Sequence, residues 1–434
     1  MLEKRSNSQN VLEALSGGQT EIGGFQGSSC AYLLSHWFRV KAFPLLVIVT
    51  ATTKQMFDFA EELSFYHGEE SVYRFPPYDT LPYFQISPHR DVLAQRMKAI
   101  NGLLYDPRPK YLLTSIAGLA SPVVAKSRLQ NKRQVLKPGD TCDRDILASL
   151  AADWGYQKTP LVEDRGTFAV RGGIVDIWGP LDSMPWRIEL LGDEIESIRR
   201  FHPQSQKSSE TLTEVWMVPV KELLWDEGTR LELADAFVRA ADEVGLKATE
   251  KRQAAERLRE GLLFGGAEHL LPLLAPPAHI TDYFPKETQC VLWNESEIRE
   301  HLDDLHNEIV TARETTESVE RVLEPETCLN QHILDDTSWQ HRPLRRMTAE
   351  LREGTLGVTT ESNEDVRWMI RKQTEAPLSE LAKRISRWQE ENRVVLVASS
   401  VAQRRRLLDL FEPYSLPLEA QEGDLAETLK QDPS

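Results

Sequence analysis

Alternation of apolar and polar positions is clearest in the stretch from residue 165 to residue 201. A β-branched and aromatic run, Ile174–Trp178, follows a Gly-Gly pair, and a second run, Trp186–Leu191, meets a third, Glu194–Ile198, across Gly192-Asp193. A two-residue Gly-Asp connection between alternating runs is a hairpin signal, because such turns need positive φ. The pattern therefore predicts small antiparallel strands closed by a tight turn.

The two faces of this predicted hairpin differ in chemistry, because successive side chains of a strand point to opposite faces. A two-residue turn pairs Leu191 with Glu194 and Leu190 with Ile195. One face is apolar and predicts a core; it holds Trp186, Ile188 and Leu190. The other face is mixed and predicts a docking surface without catalytic groups; it holds Arg187, Glu189 and Leu191.

Earlier in the chain, a glycine-rich turn, a helical pattern and an apolar strand follow one another. Residues 1–20 are polar and predicted to be frayed, whereas Leu45–Thr50 is wholly apolar apart from its last residue and precedes a helix from about Thr53 to Tyr66. A buried strand of this kind after a glycine turn is how nucleotide-binding α/β domains begin. The order predicts a parallel-sheet domain.

The glycine turn departs from a working phosphate loop. That loop has the form GxxxxGK[ST], in which backbone N–H groups cradle phosphate, the lysine reaches it and the hydroxyl holds Mg²⁺. Gly24 occupies the first position and Gly27 lies inside the turn, but Ser29 replaces the second glycine, Cys30 the lysine and Ala31 the hydroxyl residue. Taken alone, these residues favour a glycine turn that only opens a helix.

Composition and charge exclude some kinds of partner and site. The 434 residues include 51 Lys and Arg against 67 Asp and Glu, giving a net charge of −16. An acidic balance disfavours a general nucleic-acid or anionic-membrane binder. The four cysteines are far apart, and the histidines have no metal-ligand spacing. With no apolar signal core at the N-terminus, these features predict a soluble cytoplasmic protein without a metal or cofactor.

Three further segments carry predictions. After Ser87-Pro88, a helix is expected to bury a stripe of apolar residues while Arg90, Arg96 and Lys98 point elsewhere. A basic stretch at 126–137 is either a solvated linker or a DNA patch, and the acidic chain favours the linker. A helix–strand–helix near the C-terminus is predicted around a strand at Val394–Val397, with Ser399 or Ser400 as a helix cap.

Several separated motifs in one order carry a family resemblance. They are FPPYDTLPY, SPHRD, YLLTSIAGLASPVV, TFAVRGGIVDIW, WRIELLGDEIESIRRF and TDYFP. From about residue 20 to the end, the chain resembles the N-terminal part of the bacterial transcription-repair coupling factors. That region is in turn similar to the B component of the bacterial excinuclease (UvrB), the helicase of nucleotide excision repair.

The resemblance implies an α/β and α+β multidomain fold. A degenerate P-loop, helicase-like parallel-sheet domain is expected at 21–129 and 221–335, with a small α+β domain inserted at 130–220. Composition separately predicts a disordered segment at 1–20 and, where the residues are mixed and rich in Arg, Glu and Thr, a connector at 336–372. A partial α/β domain is expected at 373–434. The family has a polymerase-binding domain and a DNA translocase beyond this region, so the chain is expected to be a fragment.

The resemblance also assigns candidate residues. The inserted domain binds the A component of the excinuclease (UvrA) in the family, and the matching positions are Arg171, Arg187 and Leu191. The family's Asp-Glu pair for Mg²⁺ and water corresponds to Asn294 and Glu295, and a neutral amide is a poor substitute for a carboxylate toward Mg²⁺. The interval after Tyr83 leaves no room for the aromatic hairpin with which UvrB clamps DNA.

Two function classes follow. The first is a non-catalytic docking module that recruits UvrA to stalled RNA polymerase, within a parent protein that is an ATP-dependent DNA translocase and contacts polymerase and DNA elsewhere. The second is a divergent helicase-type ATPase acting on damaged DNA. Loss of the lysine and the metal-holding hydroxyl at Cys30 and Ala31 favours the first class, because the phosphates then lack their main charge partners.

Overall fold

The computed structural model describes residues 11–16, 18, 20–262, 264–274, 278–317, 319–336, 342–350, 356–358 and 378–420, the last range without 391–393, 395, 397 and 399. Its strands are β1 (Glu21–Gly23), β2 (Leu45–Thr50), β3 (Val72–Phe75), β4 (Lys110–Ser115), β5 (Pro122–Val123), β6 (Gln134–Leu136), β7 (Gln157–Lys158), β8 (Thr167–Arg171), β9 (Ile174–Trp178), β10 (Trp186–Leu191), β11 (Glu194–Phe201), β12 (Ser208–Thr211), β13 (Val215–Met217), β14 (Ala278–His279), β15 (Gln289–Trp293), β16 (Leu344–Thr348) and β17 (Leu356–Gly357).

The α-helices with defined bounds are α1 (Ser29–Lys41), α2 (Thr53–His67), α3 (Arg90–Tyr105), α4 (Ile116–Ala120), α5 (Lys126–Leu129), α6 (Arg144–Asp153), α7 (Glu227–Glu243), α8 (Ala248–Glu260), α9 (Glu295–Thr315), α10 (Pro325–Cys328), α11 (Ser379–Gln389) and α12 (Val401–Phe411). Short 3-10 helices lie at Glu69–Ser71, Ala267–Leu273, Ile280–Tyr283, Val319–Val322 and Glu412–Tyr414.

A parallel sheet of order β17-β1-β16-β15-β2-β4-β3 forms the main domain. Every residue of β2 and β4 is buried. Along β2, Val47 and Val49 belong to one core cluster and Leu46 and Ile48 to the other, as alternation across a sheet covered on both faces requires. The predicted parallel-sheet domain is confirmed, and its helicase-like character stays a prediction.

The predicted boundary of this domain is wrong on its C-terminal side. The segment 336–372 is predicted to be a connector, yet β16 lies inside the main sheet between β1 and β15, and β17 pairs with β1. The sequence pattern does not predict β16, because Arg345 and Arg346 stand between its apolar residues Leu344 and Met347. Arg345 is nevertheless buried and donates a hydrogen bond to the carbonyl of Leu15 at 3.2 Å. A charged residue in the sequence therefore did not mark an exposed position here.

Order also begins earlier than predicted. Residues 11–16 are helical, and Val11 and Leu15 are buried against the core cluster that contains α1. Only residues 1–10, 17 and 19 of the predicted disordered segment 1–20 lie outside the described residues. The two apolar side chains, spaced four residues apart, supply one buried helical face.

The inserted domain is a sheet of order β12-β11-β10-β9-β8-β7 with α6 beside it, plus the antiparallel pair β6 and β13. Asp143 caps α6 by accepting hydrogen bonds from the N–H groups of Asp145 and Ile146. The inner face buries Trp186, Ile188 and residues of α6 in a separate core. The predicted α+β component of the fold is confirmed, and the bounds 130–220 of the insertion stay a prediction.

Helix α3 matches its prediction except at Arg96, which is buried. Leu93, Met97 and Ile100 are buried as expected. Arg96, expected to point away from the core, is fully buried and paired with Glu222, the residue at which the chain returns from the inserted domain. A helical stripe alone could not show this, because the partner is more than a hundred residues away.

The C-terminal part contains α11 and α12, which share a small core of Ala382, Ile385 and Phe411. Ser400 caps α12 through Gln403 N–H at 3.2 Å, as predicted. The predicted strand Val394–Val397 falls largely outside the described residues. Within the residues whose structure is described, every helix is too short or too polar to cross a bilayer.

Candidate functional site

The hairpin that organises the inserted domain has the predicted register. Leu191 is paired with Glu194 and Leu190 with Ile195, and the register shifts between Glu189 and Leu190. Gly192 has φ of 64°, the conformation that the tight turn needs. The face that carries Arg187, Glu189 and Leu191 is therefore the outer one, and it is extended by the same face of β8, β9 and β11.

One buried carboxylate lies at the centre of this outer face. Asp176 of β9 is directly opposite Arg187 of β10, and its side chain is 0% exposed. Arg187 donates from Nε to Oδ1 at 2.7 Å and from Nη2 to Oδ2 at 2.9 Å, while Arg171 donates from Nη2 to Oδ2 at 2.6 Å. Alternation and proximity along the chain suggest Glu189, Glu194 or Glu196 as partners of these arginines; Asp176 takes that place.

The two arginines are close together but differ in environment. The side chain of Arg187 is 13% exposed; its Nη1 donates to the carbonyl of Gln206 at 3.3 Å and its guanidinium lies 4.6 Å from the centre of the Phe201 ring. The hydrogen bond to Asp176 raises the pKa of Arg187 above its ordinary value. The side chain of Arg171 is 42% exposed. Arg187 is thus part of the domain's packing, and Arg171 is largely a surface group.

Leu191 lies at the hairpin end of the same face with 74% of its surface exposed. Ile174 of β9 is half-buried and shares this face, one strand away, opposite Glu189. Glu189 accepts a hydrogen bond from Ser197 Oγ at 2.6 Å, so it is held toward β11. An exposed leucine, a half-buried isoleucine and an exposed arginine therefore share one rigid sheet surface.

Sequence reasoning does not single out Asp176 or Ile174. A signal is present, because an aspartate inside the apolar run Ile174–Trp178 is costly to bury without cationic partners. Alternation also places both residues on the face of Arg187 once β9 and β10 are known to pair. That pairing is a tertiary fact.

The glycine turn of the predicted degenerate nucleotide site precedes α1 in the main domain. Backbone N–H groups of the turn donate within the protein: Gly24 to the carbonyl of Glu350 at 3.2 Å, Phe25 to that of Thr348 at 3.3 Å, and Gln26 to Ser29 Oγ at 3.0 Å. Gly24 and Gly27 have positive φ. A Cβ on Gly24 would lie 2.6 Å from the carbonyl oxygen of Val358, so this glycine serves close packing of two chain segments.

The position of the missing lysine is apolar. Cys30 is buried with its Sγ 3.6 Å from Met347 Sδ, and burial raises its pKa well above the ordinary thiol value. Ala31 is fully buried in the same cluster. A neutral thiol and a methyl group in an apolar cluster offer no charge to a phosphate and no oxygen to a metal ion.

Asn294 and Glu295, at the positions of the family's Asp-Glu pair, also make contacts within the protein. Asn294 precedes α9 with φ of 58°, donates to Glu297 Oε2 at 3.2 Å and accepts from Ala349 N–H at 3.3 Å. Glu295 is paired with Arg299 at 2.9 Å and with Arg346. A cleft of about 290 Å³ is lined by Asn294, Glu295, Arg299 and Arg346 among others. A carboxylate between two guanidinium groups is already neutralised, which disfavours a divalent cation there.

The chain is similar to known proteins. Residues 135–223 match the UvrB interaction domain. The chain is 34% identical over 275 residues to a transcription-repair-coupling factor of Myxococcus xanthus, covering 62% of this chain and 23% of that protein. It is related to the transcription-repair-coupling factors. Identity to the factor of Mycobacterium tuberculosis is 30% over 300 residues (67% of this chain, 24% of that protein), and to that of Escherichia coli 26% over 283 residues (65% and 24%).

The likeness predicted from the separated motifs is confirmed, and the chain spans about a quarter of the length of these transcription-repair-coupling factors. The matched interaction domain spans residues 135–223, and the predicted insertion spans 130–220. Arg171, Asp176, Arg187 and Leu191 all lie within the matched domain, whereas the residues of the predicted degenerate nucleotide site lie outside it.

Proposed function

We propose that this chain is a non-catalytic docking module of transcription-coupled nucleotide excision repair, and that its inserted domain binds the excinuclease component UvrA. The observation that carries the proposal is the outer face of β8–β11, where Arg171 and Leu191 are exposed on a sheet whose arginines share Asp176. Similarity of residues 135–223 to the UvrB interaction domain supports a protein-binding role for this domain.

The whole protein is proposed to be an ATP-driven DNA translocase of the bacterial cytoplasm that contacts RNA polymerase and DNA through other domains. This chain would bring UvrA to polymerase stalled at damage. The names of its relatives support that setting, and their greater length leaves room for a motor.

A helicase-type ATPase in this chain is the weaker proposal. The position of the phosphate-binding lysine is Cys30, buried in an apolar cluster, and Glu295 is paired with two arginines. The groups that bind phosphate and Mg²⁺ in such enzymes therefore have no counterpart at these positions.

Binding to purified UvrA by surface plasmon resonance tests the proposal. Arg171→Ala should weaken binding by about 30- to 1000-fold if it is a central contact, because buried interface arginines cost about 2–4 kcal/mol on truncation. Leu191→Ala should cost about 1–2 kcal/mol of apolar contact. Melting curves should be nearly unchanged, since exposed side chains rarely move stability by more than about 0.5 kcal/mol.

Arg252→Ala is the matched control, because Arg252 is an exposed arginine on α8, outside the interaction domain. It should leave the affinity for UvrA unchanged. Failure of the unmodified chain to bind UvrA would refute the docking function, and equal affinity for all four proteins would refute the assignment of Arg171 and Leu191 to the contact face.

A further inference from the structure

A buried carboxylate with two unequal arginine partners lies under the proposed docking face. Asp176 is 0% exposed and receives hydrogen bonds from both guanidinium groups. One negative charge beneath two positive charges leaves the cluster with a net positive charge. Since an unpaired buried carboxylate is costly, Asp176 depends on at least one of these arginines.

Arg187 is the partner that the fold already uses. It meets both oxygens of Asp176 in a bidentate pair, donates to Gln206 and packs over Phe201. A planar guanidinium with these contacts is fixed in position and mostly shielded from solvent. A partner protein therefore finds little of Arg187 to bind.

Arg171 is differently placed. Its described contact is one hydrogen bond of 2.6 Å, from Nη2 to Asp176 Oδ2, and 42% of its side chain is exposed. A guanidinium has five N–H donors in a planar fork. Its remaining donors are therefore left for an acceptor on a partner, while the bond to Asp176 holds the side chain in one orientation.

We propose that Asp176 is a positioning residue for docking. It is held in place by Arg187 and orients Arg171 to bind a carboxylate of the partner. The inference rests on the proposed docking function. It assigns a structural role to Arg187 and a contact with the partner to Arg171. The partner surface then needs an acidic side chain facing Arg171 and an apolar one covering Leu191 and Ile174. Preorganisation lowers the side-chain entropy that Arg171 loses on binding.

A double-mutant cycle on binding to UvrA tests this. Asp176→Asn keeps the size of the side chain but removes its charge, and should weaken binding by about tenfold or more, the scale of an interface hot spot. In the Arg171→Ala background the same substitution should have little further effect, because Asp176 acts through Arg171. A purely structural Asp176 would lower affinity equally in both backgrounds.

Arg171→Lys is the second variant and does not depend on how well Asp176→Asn folds. Lysine keeps the charge but has no planar fork that can meet Asp176 and a partner carboxylate together, so binding should fall by about tenfold. Full affinity of Arg171→Lys, or of a folded Asp176→Asn, would overturn the inference while Arg171→Ala and Leu191→Ala still report the docking function. Absence of binding by the unmodified chain would overturn both.

Discussion

Arg96 Nε lies 2.6 Å from Glu222 Oε1, and both side chains are only 1% exposed. Arg96 also donates from Nη1 to the carbonyl of Pro76 at 2.9 Å, and the second oxygen of Glu222 accepts from Val124 N–H at 3.1 Å. Val124 precedes the matched interaction domain, and Glu222 lies at its C-terminal end. One carboxylate therefore ties both chain connections of the interaction domain to helix α3.

Breaking this pair should strongly destabilise the chain. We expect Arg96→Ala to lower the free energy of unfolding by about 3–5 kcal/mol, because the carboxylate of Glu222 is left buried with its charge uncompensated. Arg259→Ala is the control: Arg259 pairs with Asp235 at 2.9 Å, but their side chains are 42% and 63% exposed. Such a surface pair contributes about 0–1 kcal/mol. Urea unfolding measures both, and equal losses would contradict the argument.

The second prediction concerns nucleotide. Isothermal titration with Mg-ATP should show binding no tighter than about millimolar, because Cys30 and Ala31 provide neither the cation nor the metal ligand of a phosphate loop. The amides of Gly24, Phe25 and Gln26 are already hydrogen-bonded within the protein. The same titration in EDTA is the control. A micromolar dissociation constant that requires Mg²⁺ would show a working site.

The third prediction concerns DNA. The basic stretch at 126–137 is largely engaged, with Lys132 3.5 Å from Asp226, Lys137 3.0 Å from Glu214 and the guanidinium of Arg133 3.5 Å from the Trp216 ring centre. Undamaged duplex should therefore bind no tighter than about micromolar at physiological salt, and binding should fall steeply as salt rises. Fluorescence anisotropy checks this. Nanomolar affinity at that ionic strength would be incompatible with it.

The fourth prediction concerns pH. Burial raises the pKa of Glu320 to about 7, while the carboxylate accepts hydrogen bonds from the N–H groups of Tyr83 and Gln85 and is also close to Glu268. With a folded pKa above the unfolded value of 4.5, the folded state holds the proton more tightly. The resulting stability is fully present below pH 4.5 and is lost as pH rises through about 7.

Glu320→Gln isolates this effect, because glutamine is neutral at every pH. Relative to that variant, the native chain should lose on the order of 2 kcal/mol of stability between pH 5 and pH 8. Urea unfolding of both proteins across this range measures the difference. A difference that stays constant with pH would mean that Glu320 titrates normally.

Local pattern is sufficient for several features. The run Trp186–Ile198 alone determines the hairpin, its turn at Gly192 and the pairing of Leu191 with Glu194, because alternation and turn chemistry are properties of neighbouring residues. The substitutions at Cys30, Ala31 and Asn294 likewise stand in the sequence. The roles assigned to Arg171, Arg187 and Leu191 remain predictions.

Only tertiary structure decided which charges are surface groups and which are internal. Arg96, Arg187 and Arg345 are polar positions in the pattern, yet each is wholly or mostly shielded by a partner from elsewhere in the chain. For the same reason the pattern assigns β16 to a connector. The sequence determined which residues alternate and where the chain turns; the fold determined which carboxylate or carbonyl meets each arginine, because burial of a charge depends on partners that no local pattern can supply.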